Sequence, residues 1–138
     1  MKDIVNTIQI VIAAAGAYIG YFLGGWDGFL YALVAFVVID YLTGVMGAIL
    51  EKRLSSEVGF RGIFKKVLLF SLVAIGHIID SKLIQTGSGI RTAVIFFYLS
   101  NEGISIIENA AKIGLPIPEK LRSVLKQLNK EDNKNESA

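Results

Sequence analysis

The sequence predicts an all-α membrane protein: four hydrophobic helices, or three if the third falls short, followed by a basic amphipathic helix at the C-terminus. Three observations predict it. Of 138 residues, 53% are hydrophobic and the mean hydropathy is +0.56, whereas a soluble domain is about 45–50% apolar even with glycine counted. Charged residues make up 19% of the chain, and the Lys and Arg among them gather in two zones, Lys52 to Lys66 and Lys112 to Lys134, leaving long apolar blocks. Those blocks approach the roughly 20 residues that a helix needs to cross a hydrocarbon core of about 30 Å. Basic residues that punctuate apolar blocks set membrane topology and form no basic face for nucleic acid. The absence of cysteine excludes disulfide staples, thiol nucleophiles and the usual zinc frameworks.

The first helix is expected from about Ile4 to Leu23, retained and not cleaved, because Asp3 and a short apolar stretch make a poor secretory signal. Gly24-Gly25-Trp26-Asp27-Gly28 reads as a turn whose tryptophan suits the membrane–water interface. A second helix from Phe29 to Leu50, interrupted only by Asp40, is expected to return as an antiparallel hairpin with the first. The third block, Val67 to Ile79, is marginal in length and spans if Lys65, Lys66 and Lys82 snorkel to the two interfaces. The fourth runs from about Ile90 to Ile107; with the third it makes two spans or a re-entrant pair. These blocks form a membrane domain over 1–115, and 116–138 a cytoplasmic helix and tail. In the tail, Pro116 and Pro118 close one helix and open another. There Leu121, Val124, Leu125 and Leu128 recur at i, i+3, i+4 and i+7, with Lys120, Arg122, Lys126 and Lys130 around them. This helix lies on anionic headgroups, pairs with copies of itself, or caps the fold. Asn129 to Ala138 lacks apolar periodicity and is expected to be disordered.

Charge bias orients the chain. Lys52, Arg53, Arg61, Lys65 and Lys66 fall between the second and third blocks, while the Gly24 to Gly28 turn has no basic residue. The positive-inside rule puts the former in the cytoplasm with both termini. An even number of crossings then separates the two basic zones. Lys82 and Arg91, placed in the second outside loop, run against the bias.

Several residues invite a function. Gly16, Gly20 and Gly24 recur every fourth position, with a weaker echo in Gly44 and Ala48. Such stripes let helices approach closely, either between copies or within one chain. Asp40 and Glu102, the latter beside Asn101, fall near mid-span, where a carboxylate costs roughly 2.5–3.5 kcal/mol on translocon scales. They are expected to line an aqueous path or fix helix register, or to form a structural pair. His77 and Asp80 share a helix face and suit an interfacial hydrogen-bonded pair better than a proton relay. No metal cluster or cofactor site is expected. A single histidine leaves no nucleophilic triad for Ser55, Ser56 or Ser71, and Gly87-Ser88-Gly89 lacks a phosphate loop's lysine. No enzyme activity is expected.

Two blocks carry a resemblance. Asp40-Tyr41-Leu42-Thr43-Gly44 is followed by Lys52-Arg53-Leu54-Ser55-Ser56, Gly59-Phe60-Arg61-Gly62 and Lys65-Lys66. The second block is Asn101-Glu102-Gly103-Ile104-Ser105-Ile106-Ile107-Glu108-Asn109, leading to Gly114-Leu115-Pro116-Ile117-Pro118. In this order they resemble the toxin-secretion/phage-lysis holin family, small membrane proteins of phages and prophages of mainly Gram-positive bacteria. The resemblance implies a homo-oligomer in the host cytoplasmic membrane that opens holes, releasing an endolysin or a protein toxin. Family members are often described with three spans, against the four, or two plus a re-entrant hairpin, that charge prefers here. Other readings are a small ion channel, a multidrug transporter, disfavoured because the first helix has no acidic residue between Ile10 and Leu23, and an anti-holin or membrane scaffold.

Overall fold

The computed structural model describes residues 1–127. Four long helices run back and forth: α1 (Lys2–Phe22), α2 (Gly28–Leu50), α3 (Ser56–Ile78) and α4 (Gly89–Ile113). Helix α3 continues through a wider π-helical turn, Ile79–Ile84, and a short helix α5 occupies 119–127. All four long helices are long and apolar enough to cross a membrane.

Local chemistry sets the helix ends. Asp27 caps α2 by accepting from the Leu30 amide at 2.8 Å, and Ser55 caps α3 by accepting from Val58 at 3.2 Å, each relieving an orphan amide of a first turn. The α1–α2 turn needs glycine, since Gly24 and Gly25 have φ of +94° and +102°, where a side chain is strained. Gly114, at φ +101°, ends α4.

The helices alternate between two ends of the molecule. One holds the Trp26 turn and the start of α4; the other, here the basic end, holds Lys52, Arg53, Arg61, Lys65 and Lys112. Helix α2 packs chiefly along α4, and α4 also along α3. At the Trp26 end the filling is apolar: Leu23, Leu30, Leu33, Val37, Leu69, Val73 and Ile95 form one buried cluster. Gly76 permits the close approach of α3 to α4 there, because a Cβ on it would lie 3.1 Å from the Arg91 Cα. Toward the basic end the same bundle turns polar.

Three expectations are corrected. The α1–α2 turn forms, but no packed hairpin does: α1 runs along no other helix and buries only Gly20. The Trp26 ring sits against Gly20, and an apolar cleft of about 590 Å³, walled by Tyr18 and Phe22 on one side and Val67 and Phe70 on the other, separates α1 from α3. The third helix begins at Ser56, well before Val67, because the Ser55 cap and Glu57 start it before the apolar run does. From Ser56 to Ile84 it has 29 residues, about 43 Å at 1.5 Å per residue. It is no longer marginal. Arg91 leaves the loop assigned to it and lies buried in the first turn of α4, 3% exposed. Lys82 stays exposed in the π-helical turn.

Candidate functional site: a polar cavity closed by an interhelical ion cluster

Asp40 on α2, Lys66 on α3 and Glu102 on α4 meet inside the bundle. Lys66 Nζ donates to Asp40 Oδ2 at 2.5 Å and to Glu102 Oε2 at 2.6 Å. All three side chains are at least four-fifths shielded, with Lys66 19%, Asp40 11% and Glu102 10% exposed. The snorkelling expected of Lys66 is thereby corrected: two carboxylates facing the same gap hold its ammonium inside. On the other side of Asp40, Asn109 Nδ2 donates to Oδ1 at 3.0 Å and to Thr43 Oγ1 at 3.0 Å, and Thr43 donates to the Ile39 carbonyl at 2.8 Å. The Tyr41 hydroxyl reaches the Gly59 carbonyl at 3.4 Å, a second tie between α2 and α3. Each charge is therefore met by a partner on another helix, as buried ions require.

This cluster borders a cavity of about 750 Å³ between α2, α3 and α4. Asn101, Glu102, Ser105 and Asn109 line one wall, Asp40, Tyr41 and Gly44 a second, and Arg53, Lys65 and Lys66 the side toward the basic end. The two blocks quoted for the family resemblance, far apart in sequence, supply most of that lining. Beyond it lies the apolar cluster. The bundle is thus polar in one half and sealed in the other.

A second polar knot closes the Trp26 end. The Arg91 guanidinium donates to the Leu23 carbonyl at 2.5 Å, the Gly25 carbonyl at 3.0 Å and Asp27 Oδ2 at 2.7 Å. Asp80 accepts from the Ile90 and Arg91 amides at 3.0 and 2.8 Å, capping α4 from the end of α3. Hydrogen bonding to Arg91 holds the Asp27 carboxyl below the usual carboxylate range. Arg91 is thus a paired charge tied to the α1–α2 turn, which accounts for its place against the charge bias. His77 lies beside Gly24 and Arg91, since a Cβ on Gly24 would meet His77 Nδ1 at 2.8 Å and Arg91 Nε at 2.6 Å. Among the described residues, no hydrogen bond joins His77 to Asp80.

The remaining predicted residues fall as follows. Trp26 Nε1 donates to the Gly16 carbonyl at 3.0 Å, and a Cβ on Gly20 would lie 2.2 Å from that nitrogen. The Gly16–Gly20 face is therefore taken up by the chain's own indole. Gly44 faces Asn109, which a Cβ would approach to 3.7 Å, and Ala48 is 1% exposed. At the basic end Arg53 pairs with Glu51 and Arg61 with Glu57 at 3.4 Å, while Lys52, Lys65, Lys120 and Lys126 are exposed. Arg122 Nε is buried without a hydrogen-bond partner among the described residues. Leu128, Lys130 and the expected disordered stretch from Asn129 lie outside the described residues. Among the described residues, no group of three or more His, Asp or Glu side chains could hold a metal.

Sequence reasoning missed Asn109, Thr43, Tyr41 and Ser105 as members of the site, although all fall within the quoted blocks. It also missed the Arg91–Asp27 pair, whose signal was an arginine out of place in the charge pattern.

The sequence model of the bacteriophage holin family matches residues 17–130. The chain belongs to the bacteriophage holin family. Similar to it are an uncharacterized 14.9 kDa protein in the nagH 3′ region of Clostridium perfringens, 43% identical over 94% of this chain and 98% of that protein, and uncharacterized Lin0175 of Listeria innocua, 43% identical over 86% and 84%. Uncharacterized YqxH of Bacillus subtilis is 36% identical over 83% of this chain and 82% of its own. No solved structure matches. Family and helices together make this a holin-like, membrane-integral protein.

Proposed function

We propose that this chain is a holin that accumulates in the bacterial cytoplasmic membrane and assembles into holes large enough to release an endolysin or a protein toxin. One observation carries the reading: a family member whose bundle holds a cavity lined in part by the Asp40–Lys66–Glu102 cluster, with apolar side chains beyond it. A cavity of about 750 Å³ passes no folded protein, so release needs many copies. Their polar walls must then turn from the bundle interior to a shared lumen, since lipid cannot cover them. In this reading residues 1–115 form the membrane domain, with both termini and the basic end in the cytoplasm, and the segment from 116 follows as a cytoplasmic element. Lys52, Arg53, Arg61 and Lys65 anchor that end at anionic headgroups. Gly16 and Gly20, once the indole moves, supply close helix contacts of the assembly, whereas Gly24 stays in the turn beside Arg91 and His77 and Gly44 and Ala48 pack within the chain.

The cavity also favours a second reading, a small ion channel that never widens. Inducing the gene in bacteria while following membrane potential, growth and escape of a cytoplasmic reporter enzyme separates the two. Abrupt arrest with enzyme release is the expected result. Ion leakage with the enzyme retained supports the channel, and intact membranes with no release support an anti-holin or scaffold.

A further inference from the structure

Helix α5 does not lie away from the bundle. After the turn at Gly114 and Pro116, it folds back so that Leu125, 8% exposed, is counted among the buried core. A Cβ on Gly103 would lie 2.9 Å from Leu125 Cδ2 and 3.2 Å from Phe36 Cε2, so the leucine rests directly on the bare backbone of α4 beside α2. Gly103 precedes the end of α4 at Ile113 by ten residues, about 15 Å at 1.5 Å per residue. Leu125 therefore reaches a point well inside the bundle's length. Ser100, Gly103 and Ile107 of α4 are all buried and fall at i, i+3 and i+7, with Phe36 of α2 also against Gly103. Two of the three are small, the kind of surface on which a membrane helix packs most closely.

The hold on this surface is slight. Among the described residues of α5, Leu125 is the buried apolar anchor. Against it stands the buried Arg122 Nε, which has no hydrogen-bond partner among the described residues and opposes docking by an amount comparable to what one leucine contributes. Lys120 and Lys126 on the same short helix stay exposed and favour water or headgroups over the flank of a span. A segment held this way is released easily.

We propose that α5 is an intramolecular strap: seated through Leu125 on the Gly103–Phe36 face, it occupies a helix-packing surface and keeps a copy out of the assembly until it lifts away. Once it leaves, the face receives a helix of a second copy. The consequence for assembly rests on the holin reading, but the docking itself does not.

The natural chain has no cysteine, so the full-length Gly103→Cys/Leu125→Cys double variant can be oxidised in membranes without background. The expected product is a bond within one chain, migrating as a monomer, with the oligomer fraction reduced several-fold and restored by a reductant. In a separate full-length chain, Leu125→Asp is expected to raise the oligomer fraction several-fold and bring forward any permeabilisation. Bonds forming only between chains, or no bond at all, would overturn the docking. An unchanged oligomer distribution in both the locked and the Leu125→Asp chains would overturn the strap. If the wild-type chain never permeabilises a membrane, the holin reading fails, while the bond and oligomer measurements still decide the strap.

Discussion

Lys66 carries the heaviest electrostatic duty of any single side chain in the bundle, because it neutralises two carboxylates on two other helices at 2.5 and 2.6 Å. Removing it leaves like charges facing each other out of water, and breaking such a buried set costs about 3–5 kcal/mol. Lys66→Met is therefore expected to lower the midpoint of detergent-solubilised thermal unfolding sharply. Adding Asp40→Asn should recover a large part of the loss, since an amide still offers Asn109 an acceptor and one repelling charge is gone; a double-mutant cycle with no coupling would contradict the cluster. Asp40→Asn alone leaves Lys66 with Glu102 as a balanced pair. It is expected to keep the fold and shift the time of lysis onset, and an unchanged onset would make Asp40 purely structural. The need for such a cation was partly legible: two mid-span carboxylates demand one, and a lysine at the edge of an apolar block was within reach. Which lysine, and on which helix, depends on how α3 is rotated about its axis, which its own periodicity does not state.

At the scale of elements, the Trp26 end is a lock between the α1–α2 turn and the start of α4. The Asp27 carboxyl is held below its ordinary value, so its pair with Arg91 stabilises the fold above the unfolded pKa of about 3.9 and is lost as the pH falls through the lower folded value. With a side chain 43% exposed, solvent screens it and its contribution is small. The sole tryptophan adjoins the lock, so acid titration below pH 4 is expected to shift its emission in the wild type and much less in Asp27→Asn. Equal shifts in both would place the change elsewhere. Gly20→Leu drives side-chain atoms into the indole and should break the Trp26–Gly16 hydrogen bond, at a cost of about 1–3 kcal/mol typical of overpacking. Red-shifted emission is the expected sign.

Hydropathy and turn chemistry made several elements legible: the Gly24–Gly28 turn, α2 and the start of α4 stand near their expected places, while α4 runs on past the expected Ile107 to Ile113. What stayed hidden was pairwise. An apolar α1 reads the same whether it packs on α2 or faces lipid, and the early start of α3 was masked by charged residues that hydropathy counts against a helix. Likewise, nothing in the spacing of Leu121, Val124 and Leu125 says that one of them seats on Gly103.

Taken as a whole, the molecule is a bundle with a dry half and a polar half, plus one helix that its own chain leaves unpacked. Lone copies suit a lipid bilayer only while the polar half stays turned inward. The account therefore predicts a reorientation of the cavity wall when copies assemble. Ser105 lines that wall, and Ser105→Cys introduces the sole thiol of the chain. The decisive measurement is labelling of that thiol by a membrane-impermeant maleimide added outside intact cells, before and after growth arrest. No labelling before arrest and rapid labelling as the cytoplasmic reporter escapes is the predicted result. Escape of the reporter with the thiol still unreactive would contradict a lumen built from these cavities.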